Sequence, residues 1–174
     1  ISAPVDRTPA AFEASAFYKT LGKAKKDSWA LKTGGTNHSF TFMDPEKANP
    51  FPSLSVDLTT VGSQVTTLGI TWTPYDSKVR MTPKKEEQVK LLLQFWGTPE
   101  LAGQVVAYAR ENHRKNCPNS VAASPKSKIG TLQVQCGQTA GDVCLMWSSA
   151  AAQGAAKDAP KSASAASELR LKRG

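Results

Sequence analysis

The feature that most limits the folds open to this chain is a repeated alternation of apolar and polar residues. Every second residue is apolar over 54–58 and again over 68–72, and a turn signal, Val61-Gly62-Ser63, separates the two stretches. An alternation with a period of two gives a strand one face for a core and one face for water. The sequence therefore predicts an antiparallel hairpin over about 53–73.

Two further hairpins are indicated, one on each side of the first. Gly34-Gly35 lies between the strand-like runs 28–32 and 37–43, and paired glycines are typical of hairpin turns. A third hairpin is predicted over 128–147, around a turn at 137–141 where glycine and polar residues cluster. Together the three hairpins predict a mainly antiparallel sheet.

Helix signals lie before and between these strands. Thr8-Pro9 is typical of an N-cap followed by proline in the first helical turn, and Gly22 is placed to end the helix. We therefore expect a helix over 9–21. Thr98-Pro99 gives the same start signal for a helix that runs towards Cys117.

The clearest helix begins at Thr82-Pro83 and ends at Gly97. Four large apolar residues recur on one face of it, at the spacing of successive helical turns. They are Val89, Leu92, Leu93 and Trp96. Burying one such side chain contributes about 1.5–3 kcal/mol, so this apolar stripe is expected to anchor the core.

These elements predict an α+β fold in which two to three helices pack on one face of the sheet. One domain is expected over 8–149. Residues 150–174 are rich in alanine and basic residues and contain few large apolar side chains, so we expect a flexible tail there. No stretch approaches the roughly 20 apolar residues of a membrane-spanning helix, so an integral membrane protein is not expected.

The chain is basic, with a formal net charge of +8. Such a charge favours an acidic protein or an anionic surface polymer as the partner, and nucleic acid is also possible. Two clusters of basic residues are the candidate binding positions. The first contains Lys23, Lys25 and Lys26, in a segment expected to be a solvated turn, and the second contains Arg110, Arg114 and Lys115.

Nucleic-acid binding would need exposed aromatic rings on the sheet as well as basic residues. Trp29, Phe40 and Phe42 lie near the first basic cluster and are the candidate rings. Phe40 and Phe42 share one face of their strand, however, and a core role explains that placement more simply.

Three cysteines allow at most one disulfide within the chain. If Val134 and Leu145 face the core, strand alternation places Cys136 inward and Cys144 outward, so these two are not expected to pair. The favoured disulfide is Cys117 with Cys136, and Cys117 with Cys144 remains an alternative.

Catalytic signatures are sparse in this sequence. The histidines are His38 and His113, and strand alternation separates His38 from its neighbour Ser39. Phosphate-loop, dinucleotide-binding and zinc-ligand patterns are missing from the sequence, so no cofactor or metal is expected. Glu86 and Glu87 are explained by their favourable position at a helix start. An enzyme with an unfamiliar carboxylate site remains an alternative.

The leading functional hypothesis is a non-catalytic binding or accessory domain. The cysteines, and a sequence that begins at Ile1 rather than at methionine, lead us to expect an extracytoplasmic or secreted protein. The rival hypothesis is a cytoplasmic nucleic-acid-binding protein that uses the basic clusters and the sheet aromatics. The sequence leaves the identity of the partner open.

Overall fold

The computed structural model describes residues 5–43, 52–72, 81–115, 126–139 and 142–150. Within them, seven strands form one open sheet, and every neighbouring pair of strands is antiparallel. The strands are β1 (Ala24–Ala30), β2 (Thr36–Met43), β3 (Pro52–Val61), β4 (Gln64–Trp72), β5 (Ser127–Ile129), β6 (Leu132–Thr139) and β7 (Asp142–Ser149). Their order across the sheet is β1-β2-β3-β4-β7-β6-β5.

The helices pack on one face of this sheet and share a single hydrophobic core with it. They are α1 (Pro9–Glu13), α2 (Ala16–Leu21), α3 (Pro83–Trp96) and α4 (Ala102–Lys115), and a 3-10 turn, Pro99–Leu101, precedes α4. The predicted α+β class, the antiparallel sheet and the single helical layer are confirmed. The described part of the chain has four α-helices rather than the two or three expected.

The extra helix arises because the helix predicted over 9–21 is interrupted. Ser15 makes two local hydrogen bonds, in which its Oγ donates to the carbonyl of Phe12 (2.5 Å) and accepts from the N–H of Tyr18 (3.3 Å). Ser15 thereby caps α2, as Thr8 caps α1. The break lets both Phe12 and Phe17 enter the core.

The first strand begins earlier than the sequence predicted. Gly22 ends α2 with a left-handed φ of 77°, and β1 starts only two residues later, at Ala24 rather than at residue 28. Lys25 and Lys26 therefore lie in an edge strand and not in the solvated turn expected for them. This correction changes which surface the basic cluster occupies.

The predicted apolar stripe of α3 is confirmed, because all four of its residues are at most 1% exposed. Trp96 stacks edge-on against Trp147 of β7, with ring centroids 6.5 Å apart, and so ties the helix to the sheet. Gly97 ends α3 with a φ of 89°. Thr98, expected to cap the next helix, makes no capping hydrogen bond, and a 3-10 turn leads into α4 instead.

The last hairpin also differs in detail from the prediction. The strand expected over 128–135 is divided at Gly130, whose φ of 57° turns the chain between β5 and β6. A Cβ on Gly130 would lie 2.8 Å from the side chain of Leu101, so close packing also favours glycine there. Gly137, expected in the turn, is instead a residue of β6, opposite Cys144.

The last described strand ends at Ser149, next to the predicted domain boundary. Apart from Ala150, the predicted tail over 150–174 lies outside the described residues. Each helix in the described part of the chain is too short or too polar to cross a membrane.

Candidate functional site

The face of the sheet opposite the helices is a broad polar surface, which we call the open face. Strand register places its residues in three rows across six strands. The rows are Lys25–Thr41–Ser55–Thr71–Cys144–Gly137, Asp27–Ser39–Asp57–Gly69–Met146–Gln135, and Trp29–Asn37–Thr59–Thr67–Ser148–Gln133. Hydroxyl and amide groups dominate these rows. Their residues on β2, β3, β4, β6 and β7 are half-buried or buried, among them Asn37 and Ser39, whereas Lys25 and Asp27 on β1 are exposed.

The sheet aromatics are divided between the two faces. Phe40 and Phe42 are at most 3% exposed and pack edge-on against Tyr18, whereas Trp29 lies on the open face. The alternative in which these three rings form one platform for nucleic-acid bases is therefore wrong. The interpretation of the two phenylalanines as core residues is confirmed.

The edge of the sheet at β1 exposes main-chain groups. The N–H of Leu31 donates to the carbonyl of Gly35 (2.8 Å), which fixes the phase of the hydrogen bonds between β1 and β2. Because these bonds involve every second residue of an antiparallel strand, the intervening N–H and C=O groups point away from β2. The outward groups belong to Ala24, Lys26, Ser28 and Ala30. The N–H of Ser28 accordingly donates to the exposed carboxylate of its neighbour Asp27 (2.9 Å).

A cleft of about 380 Å³ lies beside this edge, between α1 and the first two strands. Its lining combines rings and polar groups. The lining residues are Pro9, Glu13, Lys26, Asp27, Ser28, His38 and Phe40. Sequence analysis missed this cleft as a site, because α1 and two different strands contribute to it.

The polar groups of the cleft are held by partners within the fold. Lys26 forms an ion pair with Glu13, and this carboxylate raises the pKa of the Lys26 ammonium above its usual value. His38 Nε2 lies 3.1 Å from Thr60 Oγ1, and Thr60 Oγ1 donates to the carbonyl of Thr36 (3.4 Å). Ser28 faces His38 across the strand pair, but no hydrogen bond joins their side chains.

The polar side chains of the cleft that acid–base chemistry would use already have partners within the fold. A nucleophilic serine needs a base within hydrogen-bond reach, and the imidazole of His38 is bonded to Thr60 instead. The carboxylate of Glu13 is engaged with Lys26. Among the described residues, no three His, Cys, Asp or Glu side chains are grouped closely enough to hold a metal ion.

The structure separates the two predicted basic clusters. Lys23, Lys25 and Lys26 lie at the β1 edge, whereas α4 contacts β6 near the other edge of the sheet. Arg110 is ion-paired with Glu86 at 2.5 Å. Arg114 and Lys115 occupy the end of α4 as predicted, but their side chains lie outside the described part of the structure. The two clusters therefore do not form one continuous basic patch.

The ion pair between Glu86 and Arg110 predicts a pH-dependent contribution to stability. The hydrogen bond from Arg110 lowers the pKa of the Glu86 carboxyl below its usual 4.5, so the pair stabilises the fold above that value. This contribution is lost as the pH falls through the lowered pKa. We expect Glu86→Gln to be less stable than the original protein at neutral pH, with the difference vanishing in strong acid. Urea unfolding of the two proteins at neutral pH and in strong acid measures this difference in stability.

Glu87→Gln is the matched control for that experiment, because Glu87 is an exposed carboxylate on the same helical turn. It should leave the urea midpoint nearly unchanged at either pH. Equal losses of stability in Glu86→Gln at neutral and acidic pH would show that packing, and not the charge of Glu86, supports the fold.

The positions predicted for Cys136 and Cys144 are confirmed. Cys136 is 1% exposed and faces the core from β6, on the same side of that strand as Val134 and opposite Leu145 of β7. Cys144 of β7 lies on the open face and carries a thiol. Cys117, the favoured partner of Cys136, lies outside the described residues, so their pairing stays a prediction.

Comparisons of the chain with protein-family models, with curated proteins and with solved structures found no match.

Proposed function

We propose that this protein is a non-catalytic, extracytoplasmic binding domain that takes up an extended acidic polypeptide segment along β1. The observation that carries the proposal is the exposed β1 edge, seven residues long, with four residues whose main-chain groups point outward. An extended peptide can add to such an edge as a further antiparallel strand, through main-chain hydrogen bonds. Each bond contributes about 0.5–1.5 kcal/mol net.

The charges around this edge favour an acidic partner. Residues 13–32 contain five lysines and two carboxylates. Lys23 and Lys25 are exposed and form no ion pair with any described residue, whereas Lys26 is already bound to Glu13. Four of the five lysines are therefore left to attract an acidic segment, and Lys25 is the one of them that lies within β1. Complementary charge raises both the rate and the selectivity of association.

A labelled peptide of alternating glutamate and threonine, equal in length to β1, is the probe for this proposal. We expect fluorescence anisotropy to report saturable binding that weakens with salt. Reversing two charges with Lys23→Glu and Lys25→Glu should lower the affinity by about tenfold or more. Lys84→Glu, which reverses an exposed lysine at the start of α3, is the matched control and should bind nearly as well as the original protein.

Ser28→Pro tests the main-chain part of the proposal. Proline is tolerated on an edge strand when the N–H that it removes points to solvent, so the thermal midpoint should change little. The variant cannot donate an N–H from residue 28 to an added strand, and we expect the affinity for the peptide to fall by about tenfold. Unchanged binding to a folded Ser28→Pro would overturn edge addition. Stronger, salt-dependent binding of single-stranded oligonucleotides than of the peptide would instead favour the nucleic-acid alternative.

The extracytoplasmic part of the proposal is supported by the buried position of Cys136, which suits one end of a structural disulfide. Alkylation of the protein as isolated from its native compartment, followed by mass spectrometry, tests it. Three alkylated thiols would contradict this location.

A further inference from the structure

We infer that the cleft beside β1 binds a phenol ring, supplied by a tyrosine side chain of the bound segment. The inference rests on the proposed function for the source of the ring, but the cleft itself is a separate site on the helical side of the edge. Its volume of about 380 Å³ lies at the small end of ligand pockets, which suits one side chain rather than a larger ligand.

The apolar part of the cleft suits an aromatic ring. Phe40 lines it and is held by Phe12, with ring centroids 4.8 Å apart, and by Tyr18 at 6.1 Å, both in edge-to-face contact. Pro9 provides a second apolar surface. Aromatic pairs contribute about 0.5–1.5 kcal/mol beyond the burial of their area, but Phe40 is only 3% exposed, so an added ring meets the small exposed part of Phe40 together with Pro9.

The polar part of the cleft suits a hydroxyl group. His38 Nε2 lies 3.1 Å from Thr60 Oγ1, and the Nδ1 of His38 makes no hydrogen bond with the described residues. The donor and acceptor roles of the two ring nitrogens depend on the tautomer. A phenol hydroxyl can donate to an unprotonated Nδ1 or accept from a protonated one, whereas a phenyl ring can do neither.

Strand geometry places one such side chain at the cleft. Alternate residues of an added strand point to the same face of the sheet, about 7 Å apart. On β1 the residues that face the helices beside the cleft are Lys26 and Ser28. Glu13 and Asp27 also line the cleft, so a neutral side chain is favoured there over an acidic one.

The test compares three peptides of alternating glutamate and threonine that carry tyrosine, phenylalanine or threonine at the central position. We expect the tyrosine peptide to bind about five- to tenfold more tightly than the phenylalanine peptide, and the phenylalanine peptide more tightly than the threonine peptide. His38→Leu should abolish the preference for tyrosine over phenylalanine. Thr60→Val loses the same internal hydrogen bond but keeps the imidazole, so it is the matched control and should retain the preference.

The outcomes separate this inference from the proposed function. If the three peptides bind equally and Ser28→Pro still weakens binding, the cleft inference is wrong and edge addition stands. If none of the peptides binds, a titration with N-acetyltyrosinamide decides the matter. Saturable chemical-shift changes at His38, absent with N-acetylphenylalaninamide, would support the phenol site while the proposed function fails, and equal shifts with both compounds would overturn the phenol site as well.

Discussion

Replacing Phe12 with alanine is expected to lower the free energy of unfolding by about 3–5 kcal/mol, the usual cost of a deleted core ring. Phe12 is fully buried and is the one buried residue of α1. Its ring lies within 6 Å of the rings of Phe17, Tyr18, Phe40 and Phe95. These contacts join both N-terminal helices to β2 and to α3, so the loss is not confined to one element.

The same substitution should impair the cleft, because α1 forms one of its walls and Phe12 is the residue that holds α1 on the sheet. We expect Phe12→Ala to lose the preference for the tyrosine peptide even where the domain remains folded. Chemical denaturation measures the stability. Phe12→Leu, which keeps an apolar side chain of intermediate size, is the control and should lose clearly less. A loss below about 1 kcal/mol for Phe12→Ala would mean that α1 contributes little to the core.

Removal of the proposed disulfide between Cys117 and Cys136 is expected to cost about 3 kcal/mol. The two cysteines bound a segment of 20 residues, and closing a segment of that length restricts the unfolded chain by this amount in the chain-entropy model. Cys136→Ala and chemical reduction should therefore cause similar decreases in the urea midpoint. Because Cys136 is buried, reduction is expected to be slow unless the protein is partly unfolded.

Cys144→Ala provides the control for that prediction. Cys144 is half-buried on the open face, so its removal should cost clearly less stability than removal of the buried Cys136. Peptide mapping without reduction should recover Cys117 and Cys136 as one linked species. A linked species that contains Cys144 instead would contradict the proposed pairing and would support the alternative left open by the sequence.

Binding along β1 gives a role to features that the stability of the fold does not require. Lys23 and Lys25 make no ion pair with a described residue and pack against no part of the core. Asp27 covers the outward N–H of Ser28 until a partner arrives. An incoming strand must displace this weak, solvent-exposed contact, which favours segments that supply several main-chain bonds at once.

Local signals were sufficient to predict the class of this fold. The N-cap threonines Thr8 and Thr82, the apolar stripe of α3 and the alternation over 54–58 each depend on the chemistry of neighbouring residues. The structure confirms all of them, because local chemistry is sufficient to decide a helix cap or the buried face of an element. Parity within a strand likewise placed Cys136 and Cys144 on opposite faces without knowledge of the tertiary structure.

Strand register could not be predicted in the same way. The sequence predicted one strand that ends at Lys32 and a next strand that starts at Asn37. Pairing of Lys32 with Asn37 would set Trp29 opposite Phe40 and so place Trp29 on the core face. The structure pairs Trp29 with Asn37, a shift of three residues, which moves Trp29 to the open face. Contact with β3 also restricts the turn that sets this register. Gly35 packs so closely on β3 that a Cβ on it would lie 2.7 Å from the carbonyl oxygen of Thr60.

The sequence by itself thus determined most of the segments that become strands and helices, and it determined the core-facing side of α3, β2, β3, β4, β6 and β7. Only the tertiary structure decided that β1 is an exposed edge, that Lys26 is neutralised by Glu13, and that His38 is oriented by Thr60. Helix and strand formation depends on residues a few positions apart, whereas these contacts join residues 13 and 22 positions apart in the chain. No local pattern specifies such pairs, because packing of α1, β1, β2 and β3 against one another brings them together.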